Sequence, residues 1–363
     1  MPPVGTDGDP RVLWRVPSGA DARPHEPVAN ADGSMVYFLN SAYRLQKIRA
    51  TDGHVVWDRS GGVPRQNGAS WNLVRSAHVV VAPRVDLYAF DTTSGQPAWT
   101  YVDPELDETG YSTIAADSQT VYAASRLGKI HAVAAGSGTA RWIVDLKTGE
   151  VSVGALRPTL HHSLLLVCSR TLDGPSRGTL WALNTADGSV RWRYDFQPEL
   201  PGQGSACFGH AASMGDVAIQ AQEDGRVFAF ELSTGVVRWV APRVHDVTSG
   251  LGDSRYAAAG SGVFVVTSIA DRGLVVAYDP VDGREIWRYT ENGGSPSPAL
   301  IADGSVWVDH GYRYASYDAA TGRLLWQTPA VFGAPPTVYS GRPVVGADRI
   351  FVAGRDGSYA LVK

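Results

Sequence analysis

The chain has 363 residues, a formal net charge of −4 and 19% charged residues. This small net charge of mixed sign gives no reason to expect nucleic acid or an anionic membrane as a partner. No apolar run is long enough to cross a bilayer. The length is compatible with two domains, but β architectures also form single domains of this size.

The first predicted element is a β-strand over residues 11–16, which contains Trp14. After it, tryptophans recur at intervals of 43, 42, 43, 50, 47, 48 and 39 residues. A repeat of about 40–50 residues is typical of propellers and solenoids. The eight periodic tryptophans are Trp14, Trp57, Trp99, Trp142, Trp192, Trp239, Trp287 and Trp326.

Seven of these tryptophans follow the same phrase, with a small residue ten positions before and a glycine four positions before. It reads AFDTTSGQPAW at 89–99 and AYDPVDGREIW at 277–287. Within a repeat the hydrophobic period is two, as in the predicted strands 117–124, 129–134 and 139–144. Each repeat therefore predicts a four-stranded antiparallel unit whose last strand carries the tryptophan, after a tight turn that needs a glycine with positive φ.

The two ends of the chain supply strands of the same four-stranded unit. The sequence ends with a third strand over residues 358–363 and begins with a fourth strand around Trp14. We therefore predict a single all-β domain over residues 1–363, an eight-bladed β-propeller of four-stranded antiparallel blades. Its N-terminal strand closes the ring beside the C-terminal blade, and the tryptophans are structural.

The repeated phrase resembles the tryptophan-docking repeat of the PQQ-like, quinoprotein-type eight-bladed propellers, and the resemblance covers essentially the whole chain. That superfamily includes quinoprotein alcohol dehydrogenases, BamB-like scaffolds of outer-membrane assembly, and sensor domains of bacterial Ser/Thr kinases. The fold alone does not distinguish among these functions.

The resemblance to the dehydrogenases is limited to the repeat. Those enzymes place PQQ against a ring formed by two adjacent cysteines and bind calcium nearby, whereas Cys168 and Cys207 are 39 residues apart in this chain. We therefore expect no cofactor, and PQQ with calcium is the less favoured alternative. The two cysteines are either free thiols or a disulfide.

Variable loops on a rigid scaffold are the usual place for binding. In a propeller, the loops between blades and the connections between strands two and three share one face, here called the loop face. Its longest segment, 243–256, contains Arg243, His245, Asp246, Arg255 and Tyr256, and His210 is predicted to lie beside it at the channel mouth. His210, His245, Asp246 and Arg255 are the candidates for an unrecognised enzymatic site, and Arg243, Arg255 and Tyr256 are candidate ligand-binding residues. No spacing supplies a third metal ligand beside His245 and Asp246.

Arginines follow the second strand of each repeat and offer a second kind of site on this face. A ring of arginines would recognise carboxylate or phosphate groups in a bidentate manner; the alternative is that they are solvated and paired locally, with acids such as Asp86, Glu223 and Asp224. The arginines are Arg84, Arg126, Arg170 and Arg355, with Arg44, Arg226, Arg272 and Arg313 in the same connection of the other repeats.

Trp71 is not one of the eight periodic tryptophans, and it is a candidate stacking surface at the channel mouth.

The leading interpretation is a non-catalytic, monomeric scaffold that binds a protein, peptide or small ligand on the loop face. The alternatives are an enzyme with its site around His210, His245, Asp246 and Arg255, and a PQQ-dependent oxidoreductase. The first ten residues lack the basic start and apolar core of an export signal. We therefore expect a cytoplasmic protein or, alternatively, a mature or excised extracytoplasmic domain.

Overall fold

The computed structural model describes most of the chain. The described residues are 12–17, 26–39, 44–59, 72–106, 110–147, 153–171, 176–199, 201, 204–207, 209–242, 255–268, 273–290, 296–310, 313–327, 342–346, 348–354 and 357–362. In this part of the chain, 32 strands form eight four-stranded sheets, and every neighbouring pair within a sheet is antiparallel. The sheets are the blades of one propeller, which confirms the predicted fold class.

The blades are numbered here in chain order, and their strands follow the sequence from the channel outwards. Blade 1 contains β2 (Val28–Ala29), β3 (Met35–Leu39), β4 (Leu45–Arg49) and β5 (Val55–Arg59); blade 2 contains β6 (Val74–Ser76), β7 (Val79–Pro83), β8 (Leu87–Asp91) and β9 (Pro97–Tyr101). Blade 3 contains β10 (Tyr111–Ala116), β11 (Thr120–Ser125), β12 (Lys129–Ala134) and β13 (Ala140–Asp145); blade 4 contains β14 (Val153–His161), β15 (Leu164–Thr171), β16 (Gly178–Asn184) and β17 (Val190–Asp195).

The second half of the ring repeats this arrangement. Blade 5 contains β18 (Ala212–Met214), β19 (Val217–Ala221), β20 (Val227–Glu231) and β21 (Val237–Ala241); blade 6 contains β22 (Arg255–Gly260), β23 (Val263–Ser268), β24 (Leu274–Tyr278) and β25 (Glu285–Tyr289). Blade 7 contains β26 (Leu300–Ala302), β27 (Ser305–Asp309), β28 (Tyr314–Asp318) and β29 (Leu324–Gln327); blade 8 contains β30 (Val344–Val345), β31 (Arg349–Gly354), β32 (Gly357–Val362) and the N-terminal β1 (Val12–Pro17).

The ring is closed by the first strand of the chain. Strand β1 pairs antiparallel with β32, with Trp14 opposite Ala360 and Val16 opposite Ser358. The Trp14 ring also packs against Phe351 of the same blade, with ring centroids 6.0 Å apart. The predicted closure by the two chain ends is therefore confirmed.

The core lies between adjacent blades, because each sheet packs face to face against its neighbours. Strands buried on both faces read as continuous apolar runs, and every residue of β7, β19 and β23 is buried. The outermost strands instead alternate, as in β1, where buried Trp14 and Val16 are separated by partly exposed Arg15. Among the described residues, no helix is long and apolar enough to cross a membrane.

The periodic tryptophans join each blade to the next. For seven of them, the indole Nε1 donates a hydrogen bond to a main-chain carbonyl of the following blade, at 2.7 Å for Trp14 to Ala50 and 2.8 Å for Trp287 to Ala319. The same bond is made by Trp57, Trp99, Trp142, Trp192 and Trp239. Each of these indole rings also covers the turn glycine of that next blade.

This docking gives the turn glycines a second function besides their backbone conformation. Gly283 has φ +73°, as predicted for this turn. In addition, a Cβ at Gly283 would lie 2.4 Å from Cε3 of Trp239, which is closer than two carbon atoms approach. The glycine is therefore required both by the turn and by the tryptophan of the preceding blade.

A disulfide joins blades 4 and 5. Cys168 lies in β15 and bonds to Cys207, which precedes the first strand of blade 5. Both residues are buried, 2% and 0% exposed, in the apolar cluster that contains Trp192 and Phe228. The two cysteines, for which free thiols were the alternative, are thus paired.

Candidate functional site

A cavity of about 320 Å³ lies on the propeller axis, where the inner strands of the blades converge. This volume is at the lower end of the range for small-molecule pockets, about 300–1,000 Å³. Its polar walls come from six blades or the segments leading into them: Glu26, Asn72, Thr113, Thr159, His210, Ser213 and Arg342. Its apolar walls are Ile114, Ala115, Pro158, Leu160, Ala211, Ala212, Ala257, Ala258 and Ala259.

Two of the predicted site residues meet at this cavity. His210 lies on the cavity wall just before β18, and its ring packs against Tyr256 of blade 6, with ring centroids 5.9 Å apart. Tyr256 is buried, 5% exposed, so it supports the histidine and does not form a surface of its own.

The structure does not describe the side chains of the other candidates of the long loop. Arg243, His245 and Asp246 lie outside the described residues, as do Trp71 and Arg355. Arg255 begins β22, but its side chain is also outside the description. The enzymatic site predicted around His245 and Asp246 thus stays a prediction.

The arginines after the second strands have different environments. Arg84 is buried, with 3% exposure, and is not on an open rim. Arg44 makes a bidentate hydrogen bond to Asp58, at 2.9 and 2.8 Å, and Arg226 pairs with buried Asp224 at 2.7 Å.

The remaining described arginines of this set also differ from one another. Arg313 donates to the Tyr289 hydroxyl at 3.0 Å, Arg126 is exposed and Arg170 is half-buried. Arg272 lies outside the described residues. For Arg44 and Arg226, the geometry therefore favours local pairing over a common anion-binding ring.

Most of the cavity residues were not singled out from the sequence. Arg342 precedes β30, and its pKa is lowered by burial, while the nearby carboxylate of Glu26 acts in the opposite direction. Asn72 bridges blades 2 and 3, since its amide donates to Ile114 O at 2.6 Å and accepts from Ile114 N. Thr113 is buried, and its Oγ1 has no hydrogen-bond partner among the described residues.

Two adjacent histidines, His161 and His162, lie where β14 ends. His162 has φ +50° in the hairpin between β14 and β15. The preceding His161 places Nδ1 2.7 Å from the Oγ of Ser213, which lines the cavity from blade 5. Burial, followed by the charge of His162, lowers the pKa of His161.

A second buried histidine lies between blades 2 and 3, away from the cavity. His131 is fully buried, its Nδ1 is 3.1 Å from the Tyr101 hydroxyl, and its Nε2 is 3.5 Å from Asp103 Oδ2. Burial lowers the pKa of His131 to about 4, although Asp103 opposes the shift. This imidazole is therefore neutral at pH 7.

The fold and its interlocked blades define the class of this protein, an eight-bladed propeller with tryptophan-docked blades. The family described as outer membrane protein assembly factor BamB matches residues 83–246 and 242–363. Because these matches cover more than half of the chain, this protein belongs to that family.

Two curated relatives illustrate the range of proteins with similar sequences. BamB of Moranella endobia is 26% identical over 302 residues, which cover 79% of this chain and 72% of that protein. The serine/threonine-protein kinase AfsK of Streptomyces griseus is 29% identical over 264 residues, which cover 68% of this chain but only 30% of the kinase.

Solved structures share the fold at lower identity. BamB from Moraxella catarrhalis superposes with a TM-score of 0.71 at 16% identity, covering 96% of this chain and 98% of that one. A europium-containing methanol dehydrogenase superposes with a TM-score of 0.70 at 15% identity, covering 95% and 85%. These likenesses concern the fold alone.

Proposed function

We propose that this chain is a non-catalytic scaffold that binds a protein partner on its loop face. The observation that supports this most is membership of the BamB family over residues 83–363, since the family's description names a protein assembly factor. The interlocked blades agree with this role, because a rigid ring presents its loops in fixed positions.

We also propose that the chain acts outside the cytoplasm. The Cys168–Cys207 disulfide supports this, since disulfides persist in oxidising compartments and are rare in the cytosol. The disulfide lies in the core between two blades, and neither cysteine lines the cavity. It therefore offers no counterpart of the adjacent-cysteine ring associated with PQQ, and we expect no quinone cofactor.

Site-specific photo-crosslinking in the source cell tests the scaffold function. A photoreactive residue at Arg126, exposed in the turn between β11 and β12, should crosslink to a defined partner from the loop face. The matched control is Val281, 85% exposed in a turn on the opposite face, which should not crosslink to that partner. Equal crosslinking from both positions, or from Val281 alone, would contradict the proposal.

A further inference from the structure

The disulfide between blades 4 and 5 is closed to reagents in the solvent. Cys168 is 2% exposed and Cys207 is 0% exposed, and both belong to one apolar cluster that the two blades build together. Thiol–disulfide exchange requires a thiolate to reach one of the two sulfur atoms. In the folded chain, therefore, a reductant or an oxidant reaches this pair only after the two blades have moved apart.

The segment that carries Cys207 is fixed to both blades. On the side of blade 4, Gly178 N donates a hydrogen bond to Ser205 O at 3.2 Å. On the side of blade 5, Glu223 N donates to Ala206 O at 2.7 Å. A Cβ at Gly178 would lie 2.4 Å from Cys207 N, so this segment packs directly on blade 4. Access to the sulfur atoms therefore requires the loss of these contacts, and a side-chain rotation is not sufficient.

The surroundings of the sulfur atoms also disfavour the reactive form of a cysteine. The thiolate is the nucleophile in thiol–disulfide exchange. The Cys207 Sγ lies 3.7 Å from Ser169 O and 3.8 Å from Thr179 O, and carbonyl oxygens carry partial negative charge. The other neighbours are apolar side chains of the same cluster, such as Trp192 and Phe228. A buried negative charge is costly without a partner, so a reduced pair inside the closed structure stays as unreactive thiols.

The two cysteines can meet before the ring is complete. They are separated by 39 residues of the chain, and the entropic cost of closing a loop rises with its length. Ring closure instead pairs β1 with β32, the first and last strands, and so requires the whole chain. The disulfide can therefore form while the other blades are still unfolded.

We infer that Cys168 and Cys207 are joined before blade 5 packs on blade 4, by a disulfide-bearing oxidant that acts on the unfolded chain. One cysteine thiolate attacks the oxidant's disulfide and forms a mixed disulfide, and the other thiolate then displaces the oxidant. The two cysteines lose two electrons and two protons, which the oxidant takes up as it leaves in its reduced thiol form. The closed propeller is not a substrate in either direction. This inference is independent of the loop-face function, and either can fail while the other stands.

Reduction of the native disulfide by dithiothreitol is the first test. Free thiols are counted by maleimide labelling and mass spectrometry, in buffer and in urea above the unfolding midpoint. We expect reduction of the native protein to be at least about 100-fold slower than reduction in urea, because only opened molecules react. Reduction at similar rates in buffer and in urea would overturn the inference, since the folded pair would then be accessible.

The reverse reaction is the second test. The chain is refolded in reductant, separated from it and exposed to oxidised glutathione, and we expect no disulfide in the time in which the same chain in urea is fully oxidised. In the control Ser233→Cys, a third thiol lies in an exposed turn and should react with glutathione in the folded protein, while Cys168 and Cys207 stay reduced. Rapid formation of the Cys168–Cys207 bond in the folded chain would contradict the inference. Should the reduced chain fail to refold by circular dichroism, the reduction test decides alone.

Discussion

A glycine-to-alanine pair isolates the contribution of tryptophan docking to stability. Gly283 and Gly304 both have φ +73°. A Cβ at Gly283 would lie 2.4 Å from the Trp239 ring, whereas a Cβ at Gly304 would meet no atom within 4 Å. Both alanine substitutions therefore impose the same backbone strain, but only Gly283→Ala displaces the indole.

The two substitutions should differ by several kilocalories per mole. A left-handed alanine costs about 1–2 kcal/mol, and the loss of freedom in the unfolded chain returns about 0.4–1 kcal/mol, so we expect Gly304→Ala to cost about 1 kcal/mol. Gly283→Ala also disturbs the burial of Trp239 and its 3.0 Å hydrogen bond to Pro280 O. Losing a buried tryptophan costs about 3–5 kcal/mol, and we expect a total in that range.

Urea denaturation of the two variants and of wild type measures this difference. As an internal check, Gly283→Ala made in a Trp239→Ala background should cost only about 1 kcal/mol, because the clash has been removed. Equal destabilisation by Gly283→Ala and Gly304→Ala would refute the reasoning, since backbone strain alone would then explain both.

Three further predictions concern the disulfide, the buried histidine His131 and the quinone cofactor. Replacing both Cys168 and Cys207 by alanine should lower the free energy of unfolding by about 4 kcal/mol, the loop-entropy value for a 39-residue separation; an unchanged urea midpoint would show that the bond contributes nothing. The unfolded state protonates His131 near pH 6.5 but the native state only near pH 4, so stability should fall as the pH falls through this window, by about 3 kcal/mol in all. In denaturation measured as a function of pH, His131→Gln should weaken the pH dependence of the free energy of unfolding, even though Asp103, Glu105 and Lys129 remain nearby. The control His78→Gln, at an exposed position, should keep the pH dependence of the wild type. Titration with PQQ and calcium should leave the melting temperature unchanged, and a clear rise with a bound-quinone spectrum would reopen the oxidoreductase alternative.

The repeat made the fold predictable from the sequence because its period reports directly on the blades. The tryptophan spacing predicted each outer strand, and the unmatched strands at the two ends predicted the pairing of β1 with β32. The docking of each indole on the next blade's glycine was not predicted. The sequence separation from Trp14 to Gly53 is 39 residues and from Trp142 to Gly188 is 46, so no constant spacing marks the contact.

The cavity was harder to predict from the sequence because its residues are far apart in the chain and come together only when the ring closes. Glu26 and Arg342 are more than 300 residues apart and meet only because blade 8 packs against blade 1. Thr113 lies within an ordinary strand pattern, and nothing in that pattern marks its hydroxyl. By contrast, Arg44 immediately precedes β4 and Asp58 lies in β5, the strand that pairs with β4, so this ion pair is local to one hairpin.

Hydrogen–deuterium exchange of the complex with the crosslinked partner tests the central claim of a protein-binding loop face most directly. The account predicts that the partner protects main-chain amides in the loop-face connections, such as 84–86 and 126–128, and leaves the turns at 92–96 and 279–284 unchanged. Protection of those turns without protection of the loop face would contradict it.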